Sequence, residues 1–178
     1  MYLVRVQDEG LPAQTEIRTI VDNQGGPTSP SMVWTGQRYG VAWNDARDDP
    51  VANQDPDLPD DIYFNLLEPD DGARVLDEDL LLTEASTDRA HPSLVWTGSF
   101  FGLVWADTRH GDTEIYFRKI TVNGDEVHAE APLRITRAPG PSVQPSLVWT
   151  GEEFGLIWAD GRSGDVGVYF THGRFDCP

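Results

Sequence analysis

The six tryptophans of this sequence form three pairs, and each pair lies within the same repeated phrase. The phrase reads Trp-Thr-Gly-x-x-(Tyr/Phe)-Gly, then two aliphatic residues and Trp, and its copies span 34–43, 96–105 and 149–158. The second and third copies are 53 residues apart, whereas the first and second are 62 apart. A unit of this length that recurs along a chain indicates one supersecondary motif used several times.

The longer first repeat contains an insertion in a loop. Tyr63, Tyr116 and Tyr169 are spaced by 53 residues each, so the nine extra residues fall between Trp43 and Tyr63. They lie in 48–60, where the second repeat has only a short turn. Surface loops accept such insertions at little cost in free energy. The sequence therefore predicts an unchanged frame with one enlarged hairpin loop.

Each repeat is predicted to contain four short strands. In the second repeat they cover 92–97, 101–106, 114–121 and roughly 131–136, and Asn123-Gly124 is a strong hairpin signal. Apolar residues occupy adjacent as well as alternate positions, so each sheet needs cover on both faces. No segment has helical periodicity, so other sheets must supply that cover. Stacked four-stranded antiparallel sheets are typical of an all-β propeller.

The repeat resembles that of TolB-type, WD40-like propellers. The residues concerned are Pro-Ser-Leu-Val-Trp, then Asp-x-Arg-x-Gly-Asp-x-Glu-Ile-Tyr-Phe, then Leu-Arg-Ile-Thr, and the resemblance covers essentially the whole chain. It implies the propeller fold and leaves the ligand open. By this resemblance alone, the chain is expected outside the cytoplasm, either secreted or periplasmic.

The repeats predict a propeller segment of about three blades. The expected units are a partial blade at 1–22, blades at 30–84 and 92–137, and a blade at 145–176 that lacks its last strand. Propellers close with about four to eight blades, so two apolar end faces would remain open. Either the chain forms a homo-oligomer, with a dimer of about six blades favoured, or it is a piece of a longer repeat protein.

The composition excludes two classes of partner. The chain has 13 Lys and Arg against 30 Asp and Glu, a net charge of −17. Nucleic acids and anionic membranes need clustered basic residues, so neither is expected as a partner. Solubility explains the acidity more simply than cation binding does. Cys177 is the single cysteine and cannot form a disulfide within the chain.

An Asp-x-Arg pair follows the second tryptophan of every repeat. The pairs are Asp45 and Arg47, Asp107 and Arg109, and Asp160 and Arg162. They could form a ring of ligand sites. Alternatively, Asp accepts backbone N–H groups in the hairpin while Arg pairs with an acid. We favour the second interpretation, because a residue present in every repeat is more often part of the scaffold.

No catalytic constellation is visible, and we expect no enzymatic activity. The four histidines are scattered. The stretch 163–170 resembles the Asp-box of sialidases, but it occurs once and lies between the second and third strands, whereas that family has its box after the third. The favoured function is a non-catalytic binding module for a carbohydrate or a protein. The alternatives are a hydrolase of the sialidase or glycosidase kind, and a structural repeat of a larger bacterial surface or secreted protein.

The acidic insertion allows two interpretations, a solvated loop or a calcium site formed by Asp55, Asp57 and Asp60. Calcium accepts oxygen-only ligands on irregular loops, whereas three prolines limit closure of this loop. No other cofactor is expected. A calcium site predicts a higher melting temperature in millimolar calcium, which replacement of the three aspartates by asparagine abolishes. A solvated loop predicts no shift.

Overall fold

The fold is all-β, as predicted. The computed structural model describes residues 2–3, 18–22, 25–47, 61–83 and 90–175. These ranges contain no helix, and therefore none that could span a membrane. The strands are β1 (Tyr2–Leu3), β2 (Arg18–Thr19), β3 (Thr28–Trp34), β4 (Tyr39–Asp45), β5 (Asp61–Leu67), β6 (Leu80–Leu81), β7 (Ser93–Trp96), β8 (Phe100–Asp107), β9 (Glu114–Asn123), β10 (Glu126–Ala129), β11 (Leu133–Arg134), β12 (Ser142–Trp149), β13 (Phe154–Asp160) and β14 (Gly167–Gly173).

Each repeat forms its own antiparallel sheet. The first sheet has the order β3-β4-β5-β6. The second runs β7-β8-β9-β10, with β11 also paired to β9, and the third runs β12-β13-β14. Strands β1 and β2 form a separate two-stranded ribbon. Apart from β11, every strand in these ranges therefore pairs with its sequence neighbour, as hairpin connections allow.

The Trp-Thr-Gly phrase forms the first hairpin turn of each sheet. The Thr35 hydroxyl accepts the Arg38 N–H at 2.9 Å and donates to the Arg38 carbonyl at 2.8 Å. Gly36 has φ of +98°, a conformation that glycine adopts without steric cost. Thr97 and Thr150 make the same contacts in the other two sheets.

The fourth strand of the second repeat is shorter than the predicted 131–136. Strand β11 covers only Leu133–Arg134, because the Thr136 hydroxyl, and not a backbone carbonyl, accepts the Ile115 N–H at 2.8 Å. An additional strand, β10, precedes it. The predicted hairpin at Asn123-Gly124 exists, but positive φ falls on Gly124 alone, since the two-residue loop is Gly124-Asp125.

The three sheets stack on one another through apolar faces. One core lies between the first and second sheets and contains Phe64, Phe101 and Trp105. A second core lies between the second and third sheets and contains Phe117 and Phe154. The middle sheet therefore buries both of its faces, as the adjacent apolar positions predict.

A glycine receives an aromatic ring at each sheet-to-sheet contact. A Cβ atom on Gly40 would lie 2.3 Å from Cε1 of Phe101, and one on Gly102 would lie 2.9 Å from Cε1 of Phe154. These glycines follow the aromatic residue of the repeated phrase. Their missing side chain makes room for the equivalent aromatic of the next sheet.

We expect Gly40→Ala to lower the free energy of unfolding by about 1–3 kcal/mol, because the added methyl group overpacks the buried Phe101 ring. Gly167→Ala is the control, since its nearest neighbour is the partly exposed Tyr169 ring of its own strand at 3.2 Å. Urea denaturation measures both. Equal losses would show that the ring contact does not limit the packing of the sheets.

Candidate functional site

The Asp of each Asp-x-Arg pair is buried and fully engaged by its own hairpin. Asp107 accepts the Trp105 Nε1–H at 3.0 Å and the Arg109 backbone N–H at 2.8 Å. It also accepts hydrogen bonds from the Arg109 guanidinium, including Nε–H at 2.8 Å. The Trp and Arg neighbours of Asp45 and Asp160 make the same types of contact.

The arginine of each pair stacks on the tyrosine of the neighbouring strand. The distance from guanidinium carbon to ring centroid is 4.2 Å for Arg47 on Tyr63 and 4.4 Å for Arg162 on Tyr169. Arg109 stacks in the same way on Tyr116 at 4.9 Å. Such contacts stabilise a cation on an aromatic face.

Electrostatic interactions in these clusters shift the pKa values of Asp160 and Arg47. The hydrogen bond from Arg162 keeps the pKa of Asp160 well below its usual range, against the opposing effect of burial. Burial acts to lower the pKa of the Arg47 guanidinium, but Asp45 and Asp79 outweigh it, and the net effect raises the pKa. Each buried Asp is paired with the Arg two residues later, which leaves little capacity for a ligand and favours the scaffold interpretation.

The three predicted calcium ligands, Asp55, Asp57 and Asp60, lie outside the described residues. Within the described ranges, no three His, Cys, Asp or Glu side chains form a group that could hold a metal ion.

Two clefts open between neighbouring sheets at the Trp-Thr-Gly turns. The first, of about 790 Å³, includes Trp96 and Phe101, and the second, of about 590 Å³, includes Trp149 and Phe154 at the equivalent positions. Ion pairs occupy several of their charged groups: Arg38 pairs with Glu68 at 2.9 Å and with Asp125 at 2.7 Å, and Lys119 pairs with Glu130 at 2.9 Å. Of these pairs, Arg38 with Asp125 joins the first and second repeats, whereas the other two lie within one repeat, so these charges are used in the scaffold.

A third cleft, of about 450 Å³, collects one equivalent residue from every sheet. Its lining is Ser29, Pro30, His91, Pro92, Ser93, Gln144 and Pro145. We call it the bulge cleft. Ser29, His91 and Gln144 each directly precede a Pro-Ser at or near the beginning of the first strand of their repeat. Their side chains are polar but differ in chemistry, whereas the Pro-Ser beside them is constant.

Ser29, His91 and Gln144 share an unusual backbone conformation. Their φ angles are +47°, +44° and +53°, and they are the only non-glycine residues with positive φ among the described residues. The pairing register of β3 with β4 and of β12 with β13 shifts at this point, which marks a β-bulge. Bulges re-aim side chains and are enriched beside functional sites.

Positive φ at a residue with a side chain costs about 1 kcal/mol or more. Glycine would occupy these positions without that cost. Ser29, His91 and Gln144 nevertheless occupy three equivalent positions at one cleft, which is the pattern expected where side-chain chemistry is needed. We therefore take the bulge cleft as the candidate functional site.

Sequence reasoning missed this cleft. The available signal was the variable residue before each constant Pro-Ser, in 29–31, 91–93 and 144–146. Ser, His and Gln share no motif, and the backbone angle that unites them is not visible in the sequence.

Comparison with known proteins does not assign the chain to a family. No known family matches the chain, and neither a curated protein nor a solved structure shows significant similarity to it.

Replacing the buried Asp107 by alanine should lower the free energy of unfolding by about 3 kcal/mol, because it leaves the Trp105 and Arg109 donors without their acceptor. Asp112→Ala is the control, since Asp112 is an exposed aspartate in the same loop. Denaturant unfolding compares the two. A fully stable Asp107→Ala protein would contradict the scaffold interpretation.

Proposed function

We propose that this chain is a β-propeller arc that serves as a non-catalytic binding module, with the bulge cleft as its ligand site. The observation that carries the proposal is the convergence of Ser29, His91 and Gln144 on one cleft, each at positive φ. Side chains kept at strained positions are expected where function requires them.

The stacking of the sheets supports the propeller architecture. Strand β7 contacts both β3 and β12, so the first strands of the three sheets lie side by side. In a propeller the first strands surround the central channel. The bulge cleft lies at the beginning of these strands, where such a channel would open. The likeness of the repeat to TolB-type propellers agrees with this arrangement, and about six sheets would complete the ring.

The chemistry of the cleft favours a neutral polar ligand. A hydroxyl, an imidazole and a carboxamide offer hydrogen-bond donors and acceptors, and the lining residues include no Asp, Glu, Lys or Arg. Three prolines, Pro30, Pro92 and Pro145, flank the polar groups on rigid backbone, which lowers the entropy cost of holding a ligand. Neutral carbohydrates carry hydroxyl groups that match these donors and acceptors, so we propose a neutral oligosaccharide as the ligand class.

A glycosidase-like hydrolase is less well supported. That chemistry uses a pair of carboxylates about 5–10 Å apart on either side of the scissile bond. The described lining of the bulge cleft supplies none. The repeated aspartates are occupied by Trp and Arg donors in their own hairpins.

We expect the wild-type chain to bind members of a neutral glycan array, and His91→Gly and Gln144→Gly to lose that binding. Both variants should unfold at an equal or higher urea concentration than the wild type, because glycine relieves the strain at positive φ. Loss of function without loss of stability separates a ligand role from a scaffold role.

Gln37→Ala is the control for this experiment. Gln37 is exposed at a hairpin turn and lies outside the bulge cleft, so binding should be unchanged. Glycine variants that bind as well as the wild type would place the ligand elsewhere. A wild-type chain that binds no neutral glycan, at concentrations where its assembly is established, would leave the structural-repeat alternative.

A further inference from the structure

The third sheet exposes an apolar face that its two sister sheets bury. Val148, Ile157, Val168 and Phe170 are 56%, 45%, 79% and 64% exposed. By contrast, the first-sheet and second-sheet equivalents of Phe170, Phe64 and Phe117, are both 0% exposed. Each of those two rings packs on an aromatic residue of the following sheet, with ring centroids 5.2 Å apart.

A serine hydroxyl marks this same face in every repeat. Ser31 Oγ in the first sheet accepts the backbone N–H of Leu94 in the second sheet at 3.0 Å. Ser93 Oγ accepts the backbone N–H of Leu147 in the third sheet, also at 3.0 Å. Ser146 is the third member of the series, and it is exposed. In both contacts the donor is the residue that follows the equivalent serine of the next sheet. A further sheet that continued the series would therefore donate that backbone N–H to Ser146 Oγ.

The contacts between glycines and aromatic rings also indicate that the third sheet lacks a following sheet. Gly40 receives Phe101 of the second sheet and Gly102 receives Phe154 of the third. At Gly155, the next in the series, the neighbours are Val148 and Phe170 of its own sheet. The third sheet thus presents both docking features of the internal contacts, an acceptor hydroxyl and a glycine beside an exposed aromatic ring.

The first sheet presents the complementary features on its opposite face. Met32 is the equivalent of Leu94 and Leu147, and Tyr39 is the equivalent of Phe101 and Phe154. Ile20 and Val21 cover part of this face, over Trp43. Met32 and Trp34 on β3 remain 50% and 45% exposed. The exposed part of this face is therefore β3. The equivalent strands of the other two sheets, β7 and β12, each contact the preceding sheet inside the chain.

We propose that a second copy of this chain covers the third sheet, with its β3 strand on β12, in the geometry that the internal sheets already use. The backbone N–H of Met32 from the second copy then donates to Ser146 Oγ, and its Tyr39 packs on Gly155 and Phe170. The contact is head-to-tail, because one end face meets the opposite end face of the next copy.

This assembly also completes the bulge cleft, a consequence that rests on the proposed function. The first strands of the second copy continue the row formed by β3, β7 and β12. Ser29, His91 and Gln144 of that copy then join the same three residues around a shared opening. The docking itself follows from the Ser146 and Gly155 series and does not depend on any ligand.

The mass of the chain in solution tests the docking. The wild type should elute above the 19.8 kDa of one chain. Phe170→Asp should elute as a single chain with the wild-type circular dichroism spectrum, since Phe170 is exposed within one copy. Its melting temperature should be lower than that of the wild type, because it loses the stabilisation that association supplies. Asn123→Asp is the matched control: it adds the same charge at an exposed turn of the central sheet and should keep the wild-type mass. A wild type of single-chain mass at micromolar concentration would overturn the proposal.

A mixing experiment tests the head-to-tail geometry. Met32→Asp should also yield single chains, because it places a charge on the opposite end face. An equimolar mixture of Met32→Asp and Phe170→Asp should form a two-chain species, since each variant keeps the face that the other has lost. If Met32→Asp alone remained associated, or if the mixture stayed as single chains, the head-to-tail contact would be wrong.

The two proposals fail separately. A chain that associates as expected but binds no neutral glycan would refute the ligand and leave the docking intact. Glycan binding with equal affinity by the single-chain Phe170→Asp variant would show that one copy suffices, which would refute the completed cleft.

Discussion

The packing of an aromatic ring against a glycine of the preceding sheet is the contact on which the stack depends. Each sheet is apolar on both faces, so no sheet can be stable alone in water, and each must be covered twice. Phe101 on Gly40 and Phe154 on Gly102 bring neighbouring sheets close enough to exclude water from both cores. The serine-to-backbone hydrogen bonds fix the register of the first strands at the same contact.

The polar residues of the repeat divide into two groups with different roles. The Asp-x-Arg clusters satisfy buried donors inside each hairpin and are chemically alike in all three repeats, as expected of a scaffold. The residues before Pro-Ser differ between repeats, and their backbone is strained. A constant frame that presents variable side chains at one place is the usual arrangement of a binding surface on a repeat protein.

Much of the fold was predictable because it depends on local patterns. The repeated Trp-Thr-Gly phrase specifies a hairpin, and apolar residues at adjacent as well as alternate positions specify strands with two buried faces, so the order of the main strands followed. The fourth strand of the second repeat was harder to predict, since the Thr136 hydroxyl replaces a ladder hydrogen bond there. A hydrogen bond from the backbone to a side chain, in place of one between two strands, produces no periodic pattern in the sequence.

The sequence alone determined the all-β class, the three repeats and the position of the insertion, because periodicity and turn residues act over short distances. Tertiary structure alone decided that Ser29, His91 and Gln144 share a cleft, and that the face bearing Phe170 is the open one. Both facts depend on how separate sheets stack, which brings residues more than fifty positions apart into one place. The positive φ at Ser29 and Gln144 coincides with a register shift in the assembled sheet, which the identity of those residues could not reveal.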